Sequence, residues 1–346
     1  MSDPTNNRKI EHIRAIEADR ATDRSCAYFD RIHLRHRALP QLDLSVVDPS
    51  VQLLGKSLSF PLLISSMTGG DHELVTRINR NLAIAAEATG VAMGVGSQRV
   101  MFTHPDARES FELRRWAPSA LLMGNIGAVQ LNYGFDVGHC QQAVDCLQAD
   151  ALYLHLNPLQ EAVQPEGDTN FSALDKAIAT VAADLSVPVI LKEVGAGLAP
   201  EDVALGLAAG VRHFDLAGTG GTSWSRIEHH RQPEQGGTEL GLLYQDWGIP
   251  TPLALQLARP FMDNAVFIAS GGVRTGIDMV KSVILGGSLC GMAAPFLRPA
   301  MESPDAVISV IERLRREFVT AMFLLGASDL SELRLNDALI LTGLEG

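Results

Sequence analysis

Eight short apolar runs recur along the chain, separated by stretches of helical periodicity, and this alternation constrains the fold more than any other feature. The runs at 61–66, 91–95, 120–123, 151–156, 188–192, 213–217, 265–269 and 288–292 have the length and continuity of buried strands. Between and after them, 72–89, 137–147, 172–184, 200–209, 241–258, 275–285 and 304–325 carry helical spacing. In 72–89, Leu74, Ile78, Leu82, Ala85 and Ala86 share one face, and Gly90 is placed to stop the helix. Pro200 opens another helix, where its missing N–H costs nothing. Parallel strands need crossover connections, so the pattern implies a parallel sheet wrapped in helices. A count of eight favours a closed (β/α)8 TIM barrel over an open doubly wound sheet, which periodicity alone leaves available.

No composition shift marks a second domain, so residues 1–346 read as one barrel domain with two decorations. One is a polar N-terminal extension, 1–58; the other is a polar, Gly-rich insertion after the sixth strand, about 219–240. With 46% apolar residues and 31 glycines, the chain can build a large core and many tight strand–helix loops. Its 28 basic and 40 acidic residues leave a net charge of −12, which argues against a general nucleic-acid or membrane-surface binder. An anionic ligand would need a local basic cluster set against that field. No apolar run approaches the ~20 residues that span a bilayer, and no apolar leader opens the chain, so a cytoplasmic protein is expected. Cys26, Cys140, Cys146 and Cys290 form no CxxC pair and sit in core-like or helical contexts. They read as reduced thiols, not as disulfides or a zinc site.

The chemistry concentrates where the strands end. After the run 151–156, His155, Asn157, Gln160 and Glu161 crowd one strand terminus, with Pro158 stopping the strand. In a barrel that end carries the active site. In isolation the segment would also suit a polar surface loop with a lone carboxylate.

Two later loops suggest a phosphate site. Gly271-Gly272-Val273-Arg274 follows the seventh strand, and the small residues Ala293-Ala294 follow the eighth. Barrels bind phosphate there because backbone N–H groups and a short helix N-terminus converge. Other strand ends carry Ser66-Met67-Thr68-Gly69-Gly70, Gly94 through Ser97-Gln98-Arg99, Gly124-Asn125-Ile126-Gly127 and Gly218 through Thr222-Ser223-Trp224. Lys192 closes the fifth strand, where a buried cation could face the electron-rich N1–C2 carbonyl region of a reduced flavin. Together these features suggest FMN, although a phosphorylated sugar substrate could use the same loops. A Rossmann reading is poor, since no GxGxxG follows the first strand.

At this point the chain resembles the type 2 isopentenyl-diphosphate isomerases, the flavin-dependent isomerases of isoprenoid biosynthesis. The matching segments are Arg8-Lys9-Ile10-Glu11-His12, Met67 to Gly70, Gly94 to Arg99, Gly124 to Gly127, His155 to Glu161, Lys192 to Gly195, Gly218 to Trp224 and Gly271 to Arg274. They span residues 8 to about 298, and the His-x-Asn-x-x-Gln-Glu block is the most specific of them. The His229-His230-Arg231 segment carries no recognisable signal.

The resemblance implies a homo-oligomer, tetramer or octamer, that interconverts isopentenyl and dimethylallyl diphosphate. It also implies reduced FMN, Mg²⁺, and NADPH or NADH as initial reductant. FMN contacts are expected from Ser66, Met67, Thr68, Ser97, Asn125, Lys192, Thr222, Gly271, Gly272, Arg274, Ala293 and Ala294. Arg8, Lys9, His12, Ser97, Gln98, Arg99, His155, Asn157 and Gln160 are expected at the diphosphate substrate, with the N-terminal segment folding over the mouth, from this or a neighbouring subunit. Glu161 is the expected Mg²⁺ ligand, since this ion takes one or two carboxylates plus phosphate oxygens and waters. Gln160 is the expected catalytic residue beside the flavin, because no side chain of the set is a strong acid. Trp224 fits either a prenyl-shielding or a plain structural role. The alternative is an FMN-dependent 2-hydroxy-acid oxidoreductase, which shares the barrel, the fifth-strand lysine and the phosphate loops. It needs a histidine base near the sixth and seventh strand ends, where this chain reads Gly-Thr-Gly-Gly-Thr-Ser-Trp.

Overall fold

The computed structural model, which describes residues 4–24, 26–231 and 239–341 and side chains from residue 9 onward, closes eight parallel strands into a barrel. The barrel strands are β3 (Leu62–Ile64), β4 (Ala92–Gly94), β5 (Leu122–Gly127), β6 (Ala151–Leu156), β7 (Val189–Glu193), β8 (His213–Asp215), β9 (Val266–Ser270) and β10 (Leu289–Met292). Each pairs with its sequence neighbour, and β10 closes on β3. All eight expected strands are present, and the barrel is the TIM architecture.

Side chains alternate between lumen and helix layer, as a two-residue period requires. Leu63, Ala92, Met123, Ala151, Tyr153, Ile190, Ile268 and Leu289 fill the lumen, while Leu62, Ile64, Leu152, Leu154, Leu191 and Phe214 pack outward under the helices. A hairpin of β1 (Val51–Leu53) and β2 (Lys56–Leu58) seals the bottom with Leu53 and Leu58. Its two-residue turn puts Leu54 and Gly55 at φ 49° and 75°, the twist that matches a tight hairpin.

The helices are α1 (Pro4–Ala18), α2 (Glu73–Thr89), α3 (Val137–Leu147), α4 (Pro158–Val163), α5 (Leu174–Asp184), α6 (Pro200–Ala208), α7 (Trp224–His230), α8 (Leu240–Leu243), α9 (Thr251–Ala258), α10 (Gly276–Ile284), α11 (Ala294–Glu302) and α12 (Pro304–Leu325). Several differ from the expectation for physical reasons. The third barrel strand runs on to Gly127, so the Gly124-Asn125-Ile126-Gly127 segment lies within the strand and is buried throughout. The helix expected over 241–258 is two short helices, because Gly248 at φ 131° and Pro250 interrupt it. The N-terminal extension contains α1, and the Gly-rich insertion contains α7, capped by the Ser223 side chain; residues 232–238 of that insertion lie outside the described residues. The short helices α4 and α11, which start right after β6 and β10, were not expected. Cys140 and Cys290 are buried and Cys146 half-buried, but Cys26 is exposed rather than core-like. Among the described residues, no helix is long and apolar enough to cross a membrane.

Candidate active site at the barrel mouth

Above the apolar lumen, the next inward-facing layer is polar. The strand register places Gly127 beside His155, His155 beside Lys192, and Lys192 beside Asp215. Gly127, His155 and Lys192 line one cavity, whose empty space, counted with the open solvent at its mouth, is about 1670 Å³.

One side of the cavity suits a flat, phosphate-bearing cofactor. The fully buried Asp215 carboxylate accepts from Lys192 Nζ at 2.7 Å and from the Ser270 hydroxyl. Lys192 also stands 5.5 Å above the Tyr153 ring, whose phenol burial pushes well above its ordinary range, with Asp215 adding to the shift. The lysine is therefore half of a buried pair, presenting its ammonium to the cavity with a carboxylate behind it. Gly271, Gly272, Ala293 and Ala294 line the wall after β9 and β10. Gly272 has φ 81°, and a side chain there would meet the Gly220 carbonyl at 2.7 Å, so the backbone passes closer than any other residue permits. Arg274 lines the same wall, its guanidinium held by Asp23 and the Gly220 carbonyl. Burial pushes the Asp23 carboxyl up, against the pull of Arg274. Thr222, Met67 and Ser66 complete this side.

Several buried polar atoms here are unsatisfied by the protein. Ser65 Oγ, Thr68 Oγ1, Asn157 Oδ1 and Gln164 Oε1 have no hydrogen-bond partner among the described residues, and all four belong to cavity-lining residues. Buried polar atoms without partners are costly, and a ligand rich in N–H and C=O groups would satisfy them. The glycine cradle and these atoms fit FMN.

The other side is a connected network across three strand ends. Ser66 Oγ accepts from Asn125 Nδ2 at 3.0 Å, and Asn125 Oδ1 lies 2.7 Å from His155 Nδ1. After β6, the Asn157 amide donates to Glu161 Oε1 at 2.7 Å, while Glu161 Oε2 accepts from the Gln164 amide and from the Asp168 N–H at 2.7 Å. The Asp168 carboxylate in turn accepts from Arg99 Nη1 at 2.7 Å and Gln130 Nε2 at 3.0 Å. Arg99, Ser97 and Gln130 line the cavity beside His155 and Asn157. Glu161 is buried, and among the described residues no group of three His, Cys, Asp or Glu side chains could hold a metal unaided. The donor set fits an oxygen-loving ion completed by ligand oxygens and water.

Gln98 departs from the expectation. It is fully buried away from the cavity, its amide donating to the Ala143 carbonyl at 2.8 Å and its carbonyl accepting from the Asn125 N–H at 2.9 Å. It braces the strand that carries Asn125. The Arg8 side chain lies outside the described residues.

Helix α1 of the same chain covers the mouth and contributes Lys9, His12, Ile13 and Ile16 to the cavity. His12 Nε2 lies 3.1 Å from Glu228 Oε1, and the His12 ring meets Trp224 edge-on at 5.1 Å. The same Glu228 oxygen accepts from Gln160 Nε2 at 2.7 Å. Burial alone would raise the Glu228 carboxyl, but His12, Gln160 and Arg231 outweigh it and hold it at about 2. Arg231 contacts Glu228 at 2.5 Å, Glu11 at 3.0 Å and Glu166 at 2.6 Å, and these carboxylates push its guanidinium up despite burial. Asp19, at the end of α1, pairs with Arg226 at 2.6 Å and His230 at 2.7 Å. The segment without a recognisable signal thus ties α1 to the barrel.

Asp23, Gln130, Gln164, Asp168, Asp215 and Glu228 were absent from the expected set. Only Asp215 had a readable signal: a carboxylate in one buried run beside a lysine in the neighbouring one.

A family model described as FMN-dependent dehydrogenase matches residues 6–105 and 154–340. An isopentenyl-diphosphate delta-isomerase of Paracoccus zeaxanthinifaciens is 57% identical over 337 residues, covering 96% of each chain. A protein of that name from Hydrogenovibrio crunogenus is 57% identical over 341 residues, covering 98% of this chain and 99% of its own. Among solved structures, a flavocytochrome b2 variant with sulfite bound superposes with a TM-score of 0.65 at 20% identity, covering 94% of this chain and 79% of that one. At that identity the likeness speaks for the fold alone.

Proposed function

The chain belongs to the isopentenyl-diphosphate delta-isomerases in their FMN-dependent, type 2 form, and from that premise we propose that it interconverts isopentenyl and dimethylallyl diphosphate using reduced FMN and Mg²⁺. The enzyme is an isomerase, moving a C=C bond within one substrate. The observation that carries the reading is that one cavity holds both the Gly271–Gly272 cradle with Lys192 and the His155–Asn157–Gln160–Glu161 cluster.

The proposed roles follow from the chemistry of each group. Ser66, Met67, Thr68, Ser97, Asn125, Lys192, Thr222, Gly271, Gly272, Arg274, Ala293 and Ala294 hold FMN, the glycines and alanines by letting backbone approach its phosphate. Lys192 sets its ammonium toward the ring, and Asp215 holds it there. When bound, reduced FMN supplies an acid–base couple beside the alkene, and Mg²⁺ supplies charge neutralisation for the diphosphate. Glu161 holds the metal, aligned by Asn157, Gln164 and the Asp168 N–H. Lys9, His12, Ser97, Arg99, His155 and Asn157 meet the diphosphate, Arg99 being suited to planar, charge-assisted contacts with phosphate oxygens. Gln160 holds a proton or water at the reacting carbon, its amide fixed by Glu228. Ile13, Ile16 and Trp224 wall the site from water.

The reading extends to the whole chain as one domain, with 1–58 contributing to the substrate site, and to a cytoplasmic tetramer or octamer reduced initially by NADPH. A 2-hydroxy-acid oxidation draws no support from the site. The loops after β8 and β9 contain no histidine at 216–224 or 271–274, and His213 starts β8 at the opposite end of the barrel.

The test is an absorbance spectrum of gently purified protein, followed by an anaerobic assay with isopentenyl diphosphate, Mg²⁺ and dithionite or NADPH. A flavin spectrum, with isomer formed only after reduction, is expected. Full activity from flavin-free protein, or steady oxidation of a 2-hydroxy acid, would overturn the reading.

A further inference from the structure

Asp168 is out of place for an anion-binding site. Its carboxylate stands 2.7 Å from Arg99, the cavity-lining guanidinium best suited to a diphosphate, and it offsets part of that positive charge. The same oxygen accepts from Gln130 at 3.0 Å, so the group is anchored from two strand ends. Its main-chain N–H, at 2.7 Å, binds Glu161. Two carboxylates therefore belong to one hydrogen-bonded network beside the cavity, against a single arginine.

Like charges raise the free energy of bringing an anion to this wall, and the effect is large where water is partly excluded. A free diphosphate carries the full repulsion, whereas one already complexed by a divalent cation carries much less. A carboxylate placed here lowers the affinity for free diphosphate, and what it gains is discrimination.

We propose that Asp168 is a specificity-determining residue that makes the site select the metal-complexed diphosphate over the free one. The inference rests on the functional reading above, in which Arg99 meets the diphosphate and Glu161 the metal. It assigns different work to the two carboxylates: Glu161 holds the ion, while Asp168 penalises its absence.

The experiment uses the FMN-loaded full-length protein and inorganic diphosphate as probe, titrated calorimetrically with Mg²⁺ and with chelator. Asp168→Asn keeps the shape, an acceptor oxygen and the backbone N–H to Glu161, and removes only the charge. In chelator this variant is expected to bind diphosphate about tenfold tighter than the parent, with the Mg²⁺-bound affinity changed by less than about threefold. At saturating diphosphate the half-saturating Mg²⁺ rises in both variants, through tighter metal-free binding in Asp168→Asn and through weaker metal-bound binding in Glu161→Gln, and the calorimetry separates the two. Asp168→Glu, which retains the charge, is expected to keep the parent's metal preference. Flavin absorbance of each variant reports an intact barrel mouth. Equal or weaker metal-free binding by Asp168→Asn would overturn the inference while leaving the functional reading in place. A parent protein that binds no diphosphate under either condition would overturn that reading itself.

Discussion

The Gln160 amide donates to the Glu228 carboxylate across 2.7 Å, joining a residue just after strand β6, the fourth apolar run, to one on helix α7, 68 positions away. That contact fixes which way the Gln160 amide faces, with its oxygen left toward Asn157 Nδ2 at 3.3 Å. Glu228 is held at about 2, below its ordinary 4.5, so it stays an acceptor through the neutral range. A carboxyl lowered on folding contributes stability that is complete above about 4.5 and lost as pH falls toward 2. Glu228→Gln lacks that contribution. Its Tm should match the parent's near pH 2 and trail it by roughly 5 °C above pH 5, as read by calorimetric scans. Its turnover should drop at least about tenfold, since Gln160 loses its anchor. A gap in Tm that does not change with pH would contradict the assignment.

Glu161 and Gln160 are adjacent in sequence but are assigned separate work. Glu161→Gln removes the carboxylate proposed for Mg²⁺ and should raise the half-saturating Mg²⁺ about tenfold or more, with partial activity because an amide oxygen still accepts from a metal-bound water. Gln160→Ala should lower kcat by about 100-fold with little change in Mg²⁺ dependence. Parallel metal titrations separate the two, and equal shifts in both would show that the segment does not divide its labour in this way.

The strands were legible because each barrel strand is buried on both faces and so reads as a continuous apolar run. The polar residues that end those runs pointed to the mouth, since in this architecture inward positions past the lumen meet a ligand. Direction was harder to read. Gln98 lies between Ser97 and Arg99, which line the cavity, yet it faces α3, and nothing in a loop's sequence states its backbone course. Asn125 and Gly127 looked like loop residues because their small side chains imitate turn chemistry, although they sit inside β5. Contacts between distant segments carried no signal at all. His12 and Glu228 are 216 positions apart, and Arg231 gathers Glu11, Glu166 and Glu228 from three elements. Such pairings exist only once the barrel has brought its loops together.

Lys192 and Asp215 form a buried pair in adjacent strands, so changing one alone exposes the other's cost. Lys192→Met leaves the Asp215 carboxylate buried without its cation, and should destabilise the protein by about 3–5 kcal/mol. The double variant Lys192→Met/Asp215→Asn should recover most of that in urea unfolding. It should not recover the midpoint potential of the bound flavin, because the cation proposed to face the ring is still missing. If the single and double variants unfold alike, the pair is not a unit.

Arg231 ties α1 to two other elements around the site. Its guanidinium, largely shielded from solvent, reaches Glu11 on α1, Glu166 beyond α4 and Glu228 on α7. Removing it leaves three carboxylates converging on one space without their shared cation, and their mutual repulsion acts to push α1 off the mouth. The remaining polar tethers include buried His12 with Glu228, and Asp19 with Arg226 and His230, which is more exposed and weakens with salt. Arg231→Ala should therefore raise KM for isopentenyl diphosphate by about tenfold or more, and the rise should grow at high ionic strength. Flavin content should stay normal, since the Gly271–Gly272 cradle lies on the other side of the cavity and shares no contact with Arg231. Limited proteolysis gives the independent readout: cleavage within residues 4–18 should be faster in the variant, and substrate with Mg²⁺ should protect the parent more than the variant. Arg231→Lys keeps the charge but not the three-way fork, so it should fall between the two. Cleavage and KM unchanged in Arg231→Ala would mean that α1 is held over the site by its apolar contacts, with the ion pairs incidental.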